Sequence, residues 1–318
     1  MHNQAMKILI TGANGFVANQ LALLLKTQGH QLLLTARRDI QSTSATVATG
    51  DIDTFDNWES YLSDIDVVIH LAARVHQMGE QSDQAAFDYQ RTNVDATARL
   101  AKAAAQCGVK RFIFLSTIKV NGEETLKGKA FSATDTPAPQ DAYGESKLQA
   151  ELVLKKLSAS SNMELVIIRP PLVYGSGVKA NFLRLVDLAE GGMPLPFAGL
   201  SNCRDMVSVD NLCDLMAYCI DSPQAAGGIF LVSDGIAYST ADIIKTVRSI
   251  LGLPHRLFYF PPSLLKVGLA SVGKKAMDER LFGSLQIDMS ATVETLGWSP
   301  KYTLEQTLKK MLTRILLL

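Results

Sequence analysis

The chain has 318 residues, 47% of them hydrophobic and 19% charged, enough to bury a sizeable core in one large α/β domain or a domain with an appended lobe. Its 31 basic and 31 acidic residues cancel, which excludes bulk electrostatic attraction to nucleic acid or anionic lipid and leaves only local anion sites. The four cysteines, Cys107, Cys203, Cys213 and Cys219, show no C-x-x-C spacing, so buried free thiols in a reducing cytosol are expected, with no metal site and no disulfide.

The N-terminus runs directly into an apolar strand without the basic region and cleavage site of a signal peptide, and no stretch approaches a membrane span; a cytoplasmic protein is expected. Lys7 to Ile10 reads as a first strand, and Gly15 to Gln28 has helical spacing that stops at Gly29. Gln31 to Thr35, a short run before Gly50, Val67 to His70, Arg111 to Ser116 and Leu165 to Arg169 read as further strands, with a helix ending at Gly108 before Arg111. Strands alternating with helices imply parallel pairing through right-handed crossovers, hence a doubly wound sheet with helices on both faces. After Pro170-Pro171 the rhythm loosens into Gly/Pro-bearing stretches where a substrate lobe is expected, and Gly228 to Val232 returns to the sheet. The expected division is 1–170 for a dinucleotide-binding domain and 171–318 mainly for the lobe. The leucine-rich end from Met311 to Leu318 is expected to form a docked helix or a homodimer contact.

Immediately after the first strand, Thr11-Gly12-Ala13-Asn14-Gly15-Phe16-Val17-Ala18 is a glycine-rich turn opening a helix. Without bulky side chains such a turn lets backbone N–H groups approach a pyrophosphate, so Gly12, Asn14, Gly15, Phe16 and Val17 are cofactor candidates. Ala18 stands where a third glycine is often found. The second strand ends Thr35-Ala36-Arg37-Arg38-Asp39. Arg37 and Arg38 suit the 2'-phosphate of NADP, while Asp39 as an acceptor for the ribose hydroxyl keeps NAD as the alternative. Asp51 and Ile52 can meet an adenine through a carboxylate and an apolar face, or Asp51 can cap a helix before Phe55 to Trp58.

Tyr143 and Lys147 lie four residues apart in Tyr143-Gly144-Glu145-Ser146-Lys147, on one face of a helix. The nearby ammonium is expected to lower the phenol toward the working pH for proton transfer to or from a hydroxyl. Taken alone, the spacing also fits a half-buried aromatic beside a surface lysine. The strand Arg111 to Ser116, ending in Ser116-Thr117, places hydroxyls at the edge of a parallel sheet where ligands bind.

With these motifs on the page, the chain resembles the extended short-chain dehydrogenase/reductases of the nucleotide-sugar epimerase and 4-ketoreductase branch. Further matches are His70-Leu71-Ala72-Ala73, Asn93-Val94-Asp95-Ala96-Thr97, the hydroxyl run before Ile118-Lys119-Val120-Asn121-Gly122-Glu123, and Arg169-Pro170-Pro171-Leu172-Val173-Tyr174-Gly175. The resemblance implies a Rossmann-type sheet, Thr117 as the hydroxyl that bonds the reacting sugar oxygen, Tyr143 as acid/base, and Lys147 as its partner and a holder of the nicotinamide ribose. It also implies cofactor contacts at Leu71, Ala72, Ala73, Asn93 and Pro170.

The resemblance implies a UDP-sugar substrate. Asn181, Phe182, Leu195 and Phe197 resemble segments that hold uracil; Arg204 matches a diphosphate arginine, and Arg280 is a second candidate. The related 4,6-dehydratases carry Asp-Glu after the threonine, where this chain has Ile118-Lys119, so dehydration is not expected. Arg37 and Arg38 favour an exchangeable NADPH and therefore reduction, and the run from Ser116 to Glu123 resembles the bacterial polysaccharide-pathway branch that reduces UDP-4-keto-6-deoxy-N-acetylhexosamines. The alternative is 4-epimerisation of UDP-glucose or UDP-N-acetylglucosamine with retained NAD. A non-catalytic cofactor-binding protein is a distant third, weakened by the complete Thr117, Tyr143 and Lys147 set.

Overall fold

The computed structural model describes residues 5–38, 42, 44–75, 82–126, 128–178, 181–265 and 282–316. Its centre is a seven-stranded parallel sheet of order β3-β2-β1-β4-β5-β6-β9, formed by β1 (Lys7–Thr11), β2 (Gln31–Ala36), β3 (Ala45–Ala48), β4 (Val67–His70), β5 (Arg111–Leu115), β6 (Glu164–Arg169) and β9 (Ile229–Leu231). The order reverses between β1 and β4, so connections leave the C-terminal ends of these two neighbours in opposite directions and open a crevice above them.

Alternation along the buried strands builds both faces of the core. Ile8 and Ile10 join Ile69, Ile113, Val166 and Ile168 on one face, covered by α1 (Phe16–Thr27) and α7 (Val209–Tyr218). Leu9 faces the other way with Val68, Phe112, Phe114 and Ile167, covered by α4 (Ala96–Gln106) and α5 (Ala142–Ala159). Each fully buried aliphatic side chain contributes roughly 1.5–3 kcal/mol, which is why strands with two buried faces read as unbroken apolar runs. The remaining helices of the first half are α2 (Glu59–Leu62) and α3 (Asp83–Tyr89), and a π-helical turn, Gln90–Asp95, joins α3 to α4.

The expected strands are found, with ends shifted by a residue at several of them and one unexpected pair. β1 runs on to Thr11, β5 stops at Leu115 so that Ser116 lies beyond it, and a separate two-stranded parallel pair forms from β7 (Leu172–Tyr174) and β8 (Met206–Ser208). This pair was not legible because each strand has only three residues. α7 begins at Val209, and its cap is the Ser208 hydroxyl, which accepts from Asn211 N–H at 3.1 Å; Asp210-Asn211 therefore lie inside the first turn.

A third apolar cluster belongs to the second half alone. It gathers Tyr174, Val186, Ile244 and Leu308 from β7, α6 (Asn181–Glu190), α8 (Thr240–Ile250) and α10 (Leu304–Leu316). α9 (Ser290–Leu296) instead contributes Leu296 to the sheet core. Of the leucine-rich end, Met311 and Leu312 are buried in α10 beside Leu304 and Leu308, as a docked helix requires, while residues 317–318 lie outside the described residues. All four cysteines are free; Cys213 and Cys219 are buried, but Cys107 and Cys203 are only half-buried. Among the described residues no helix is long and apolar enough to cross a membrane.

Candidate active site

The crevice at the β1/β4 switch point begins with the glycine-rich turn. Gly12 has φ +72°, and a Cβ there would stand 2.8 Å from both the Cα and N of Ala72; at Gly15 it would stand 3.0 Å from the Gly12 carbonyl. α1 then opens at Phe16 without a side-chain cap, leaving its first N–H groups for an incoming anion. Asn14 and Gly15 are exposed, whereas Phe16 and Val17 are half-buried. These residues fit a pyrophosphate, because the backbone is bared where a side chain would intrude.

Thr11 and His70 hold this turn against the β4 loop. The Thr97 hydroxyl donates to the Asn93 carbonyl at 2.7 Å, so its oxygen accepts from His70 Nε2, 2.8 Å away. His70 Nδ1 is then an acceptor and takes the Thr11 hydroxyl at 2.7 Å, while Thr11 Oγ1 accepts from Leu71 and Ala72 N–H at 3.2 and 3.1 Å. Burial, reinforced by Lys147, lowers the His70 pKa to about 3, so the imidazole is neutral.

Asn93, 1% exposed in the π-helical turn, continues the connection. Its carboxamide accepts from Arg74 N–H at 2.8 Å and donates to the Arg74 carbonyl at 3.0 Å and to Ser146 Oγ at 2.9 Å; Ser146 in turn donates to the Tyr143 carbonyl at 2.8 Å. Expected to touch the cofactor, the Asn93 side chain is occupied here with bracing the β4 loop against α5. Ala73 lies half-buried in that loop.

Thr117 stands just past the end of β5, and Tyr143 and Lys147 are carried by α5, which packs against the turn that follows Thr117. Thr117 follows β5 in extended conformation, and the next N–H, of Ile118, donates to the Pro170 carbonyl at 2.9 Å, joining the ends of β5 and β6. Tyr143 and Lys147 sit one turn apart on α5, with the Tyr143 ring 6.0 Å from that of Tyr89 and Lys147 Nζ 3.9 Å above the Phe114 ring. The electrostatics differ from the sequence expectation. Burial, then the Asp141 carboxylate and Tyr89, push the Tyr143 phenol above its ordinary value rather than below it. Burial also brings Lys147 down to about 7, against the pull of Glu151. The reason is the dry surroundings, in which each group resists carrying a charge.

Sequence reading missed the groups behind this set. Glu151, fully buried, accepts from Ser116 Oγ at 2.5 Å and from Arg169 Nε and Nη2 at 2.9 and 2.5 Å. Arg169 also donates to Asn121 Oδ1 at 2.9 Å. The signal was present, since Glu151 continues the four-residue spacing of Tyr143 and Lys147 along one helix face.

The predicted nucleotide contacts are distributed less simply. Arg37 and Arg38 are exposed at the end of β2, but Arg37 Nε is bonded to Asp51 Oδ1 at 2.7 Å, so two residues assigned to different parts of the cofactor face each other. Asp51 stands in a turn whose carbonyl accepts from Thr54 N–H, not at a helix cap, and Ile52 packs against the second core cluster. Asp39 and Arg280 lie outside the described residues, as does the side chain of Asn181. Phe182, Leu195 and Phe197 are buried in the third cluster, and both backbone groups of Leu195 are bonded to the 256–258 segment, which leaves the expected aromatic wall without an exposed ring. The Arg204 guanidinium donates to the Gly283 carbonyl at 3.1 Å.

The profile described as "NAD dependent epimerase/dehydratase family" matches residues 8–233. A UDP-glucose 4-epimerase of Vibrio cholerae is 43% identical over 306 residues, covering 95% of this chain and 93% of its own. Two solved structures from Bacillus cereus share the fold. A UDP-N-acetylglucosamine 4-epimerase superposes with a TM-score of 0.80 at 19% identity, covering 98% of this chain and 99% of its own. A UDP-glucuronic acid 4-epimerase in complex with NAD superposes with a TM-score of 0.77 at 24% identity, covering 98% and 96%.

Proposed function

This chain belongs to the NAD dependent epimerase/dehydratase family, and we propose that it interconverts the C4 epimers of a UDP-hexose with NAD retained in the crevice. The observation that carries this reading is the 43% identity, along nearly the whole chain, to a UDP-glucose 4-epimerase. It displaces the preference for NADPH-driven reduction, which rested on Arg37 and Arg38 and on the resemblance of the Ser116 to Glu123 run.

In this reading Gly12, Asn14 to Val17 and the Leu71 to Ala73 backbone hold the dinucleotide, and Lys147 the nicotinamide ribose. A nicotinamide held there would supply a reversible hydride acceptor for the sugar C4, through which the 4-keto sugar is reduced on its other face. Tyr143 takes the proton of the C4 hydroxyl on its phenol oxygen and later gives it back. Thr117 holds the same sugar oxygen by its hydroxyl. Lys147 makes the phenolate affordable in a dry site, because a charged Lys147 beside it keeps the pair neutral overall. Arg204 faces the diphosphate.

The test is incubation of the purified chain with UDP-glucose, and separately with UDP-N-acetylglucosamine, with no added cofactor. Appearance of the corresponding C4 epimer is expected. Stoichiometric oxidation of NADPH on a UDP-4-keto-6-deoxy sugar, without any interconversion, would overturn the proposal in favour of the reductase.

A further inference from the structure

The geometry points to Lys119 as a positioning residue for Tyr143, acting through Asp141 and resting on the reading above in which Tyr143 is the acid/base. Lys119 lies two residues after Thr117, in the 3-10 turn Ile118–Val120. Its ammonium donates to Asp141 Oδ2 at 2.5 Å and to Glu123 Oε1 at 2.7 Å. The second oxygen of Asp141 accepts from Gly144 N–H at 2.6 Å and caps α5 one residue after Tyr143. Gly144 also packs on the turn itself, since a Cβ there would stand 3.0 Å from the Lys119 carbonyl. Thr117 Oγ1 accepts from Lys119 N–H at 3.3 Å. One lysine thus ties the turn that presents Thr117 to the first turn of the helix that presents Tyr143.

The same contact governs charge beside the phenol. The groups that act on Tyr143 are Asp141, the cap of its own helix, and Tyr89 of α3, the latter with the Arg74 guanidinium 5.6 Å from its ring; Lys119, itself bonded to Glu123, bears on Tyr143 through Asp141, and Lys147 lies one turn further along α5. Burial acts against the Lys119 charge, yet its bonds to Asp141 and Glu123 hold it above the ordinary lysine value, so the ammonium is present throughout the working range. Asp141 opposes formation of a phenolate, and Lys119 offsets that opposition. Ile118, the neighbour, turns instead into an apolar cluster with Leu231 and Leu285.

The experiment compares the parent chain with Lys119→Met, Lys119→Arg and Lys119→Met/Asp141→Asn. Each is assayed across pH for UDP-glucose interconversion and for NADPH-linked reduction of a UDP-4-keto sugar, and by deuterium exchange of the peptide spanning residues 141–149. Lys119→Met is expected to lower kcat about tenfold with KM within about twofold, because orientation is lost after binding. Its acidic limb of kcat is expected to move up by about one pH unit, as an Asp141 carboxylate without its ammonium disfavours phenolate. Asp141→Asn in the double variant returns the limb to the parental position, since an amide oxygen still caps Gly144 without charge, and Lys119→Arg restores both readouts. A Lys119→Met profile that loses kcat with an unmoved limb, or that matches the parent throughout, overturns the proposal. If the parent turns over neither substrate, the functional reading fails, and exchange decides the clamp: faster exchange in Lys119→Met that Lys119→Arg reverses supports it, and unchanged exchange overturns it.

Discussion

Thr11 donates its hydroxyl to Nδ1 of His70 at 2.7 Å, joining the ends of two neighbouring strands at the point where the sheet order reverses. The bond fixes where the glycine-rich turn departs, because the same Thr11 oxygen receives two N–H groups from the β4 loop. His70 binds no proton in the fold until about pH 3, against 6.5 for the free side chain. Between these values the unfolded chain holds the extra proton, so this residue's contribution to stability is complete above pH 6.5 and is lost as pH falls toward 3. His70→Gln is therefore expected to show an acid-unfolding profile shallower by about one proton in that window. Parallel profiles for parent and variant would refute the assignment.

Replacement of Gly12 by alanine is expected to abolish dinucleotide binding. The new methyl group would lie 2.8 Å from the Ala72 backbone, and the left-handed φ of +72° adds about 1–2 kcal/mol of strain. Gly29, at φ +86° with nothing near its missing Cβ, provides the control. Gly29→Ala should lower the unfolding midpoint yet leave cofactor content unchanged, as measured by absorbance of the released dinucleotide.

Tyr143→Phe is expected to reduce turnover by about 10²–10⁴-fold, the usual worth of a positioned proton donor and acceptor. The carbonyl contact to Ser146 uses backbone, so α5 keeps its place and bound cofactor is retained. Full activity in this variant would remove Tyr143 from the mechanism.

Arg169 and Glu151 are 1% and 0% exposed, so breaking their pair leaves a charge stranded in the core. Arg169→Met is expected to cost about 3–5 kcal/mol in urea unfolding. The double variant Arg169→Met/Glu151→Leu should recover part of this loss, as no lone charge then remains. Recovery stays incomplete because Ser116 and Asn121 each lose a partner.

Arg37 and Asp51 are 74% and 61% exposed at the side chain, so their ion pair is worth about 0–1 kcal/mol after solvent screening. Arg37→Ala should barely move the unfolding midpoint. It should leave NAD in the purified protein and weaken NADP binding in titration; equal loss of both cofactors would place Arg37 elsewhere than at the ribose.

Two kinds of feature were readable from the residues in order. Apolar runs such as Val67 to His70 and Leu165 to Arg169 had to be buried strands, and the turn at Gly12 had to admit a close neighbour, because strand period and backbone freedom are local properties. Tyr143 and Lys147 share a helix face for the same reason. Partner choice among charges is different, since any of the chain's 31 basic residues can in principle meet any of its 31 acidic ones. Only the fold brought Arg37 to Asp51 and Lys119 to Asp141, and only the packed surroundings, burial first and then Asp141 and Tyr89, turned the expected lowering of the Tyr143 phenol into a rise. Burial also sent Phe182 and Phe197 into the core of the second half, because exposure follows from how distant segments pack and leaves no mark in local spacing.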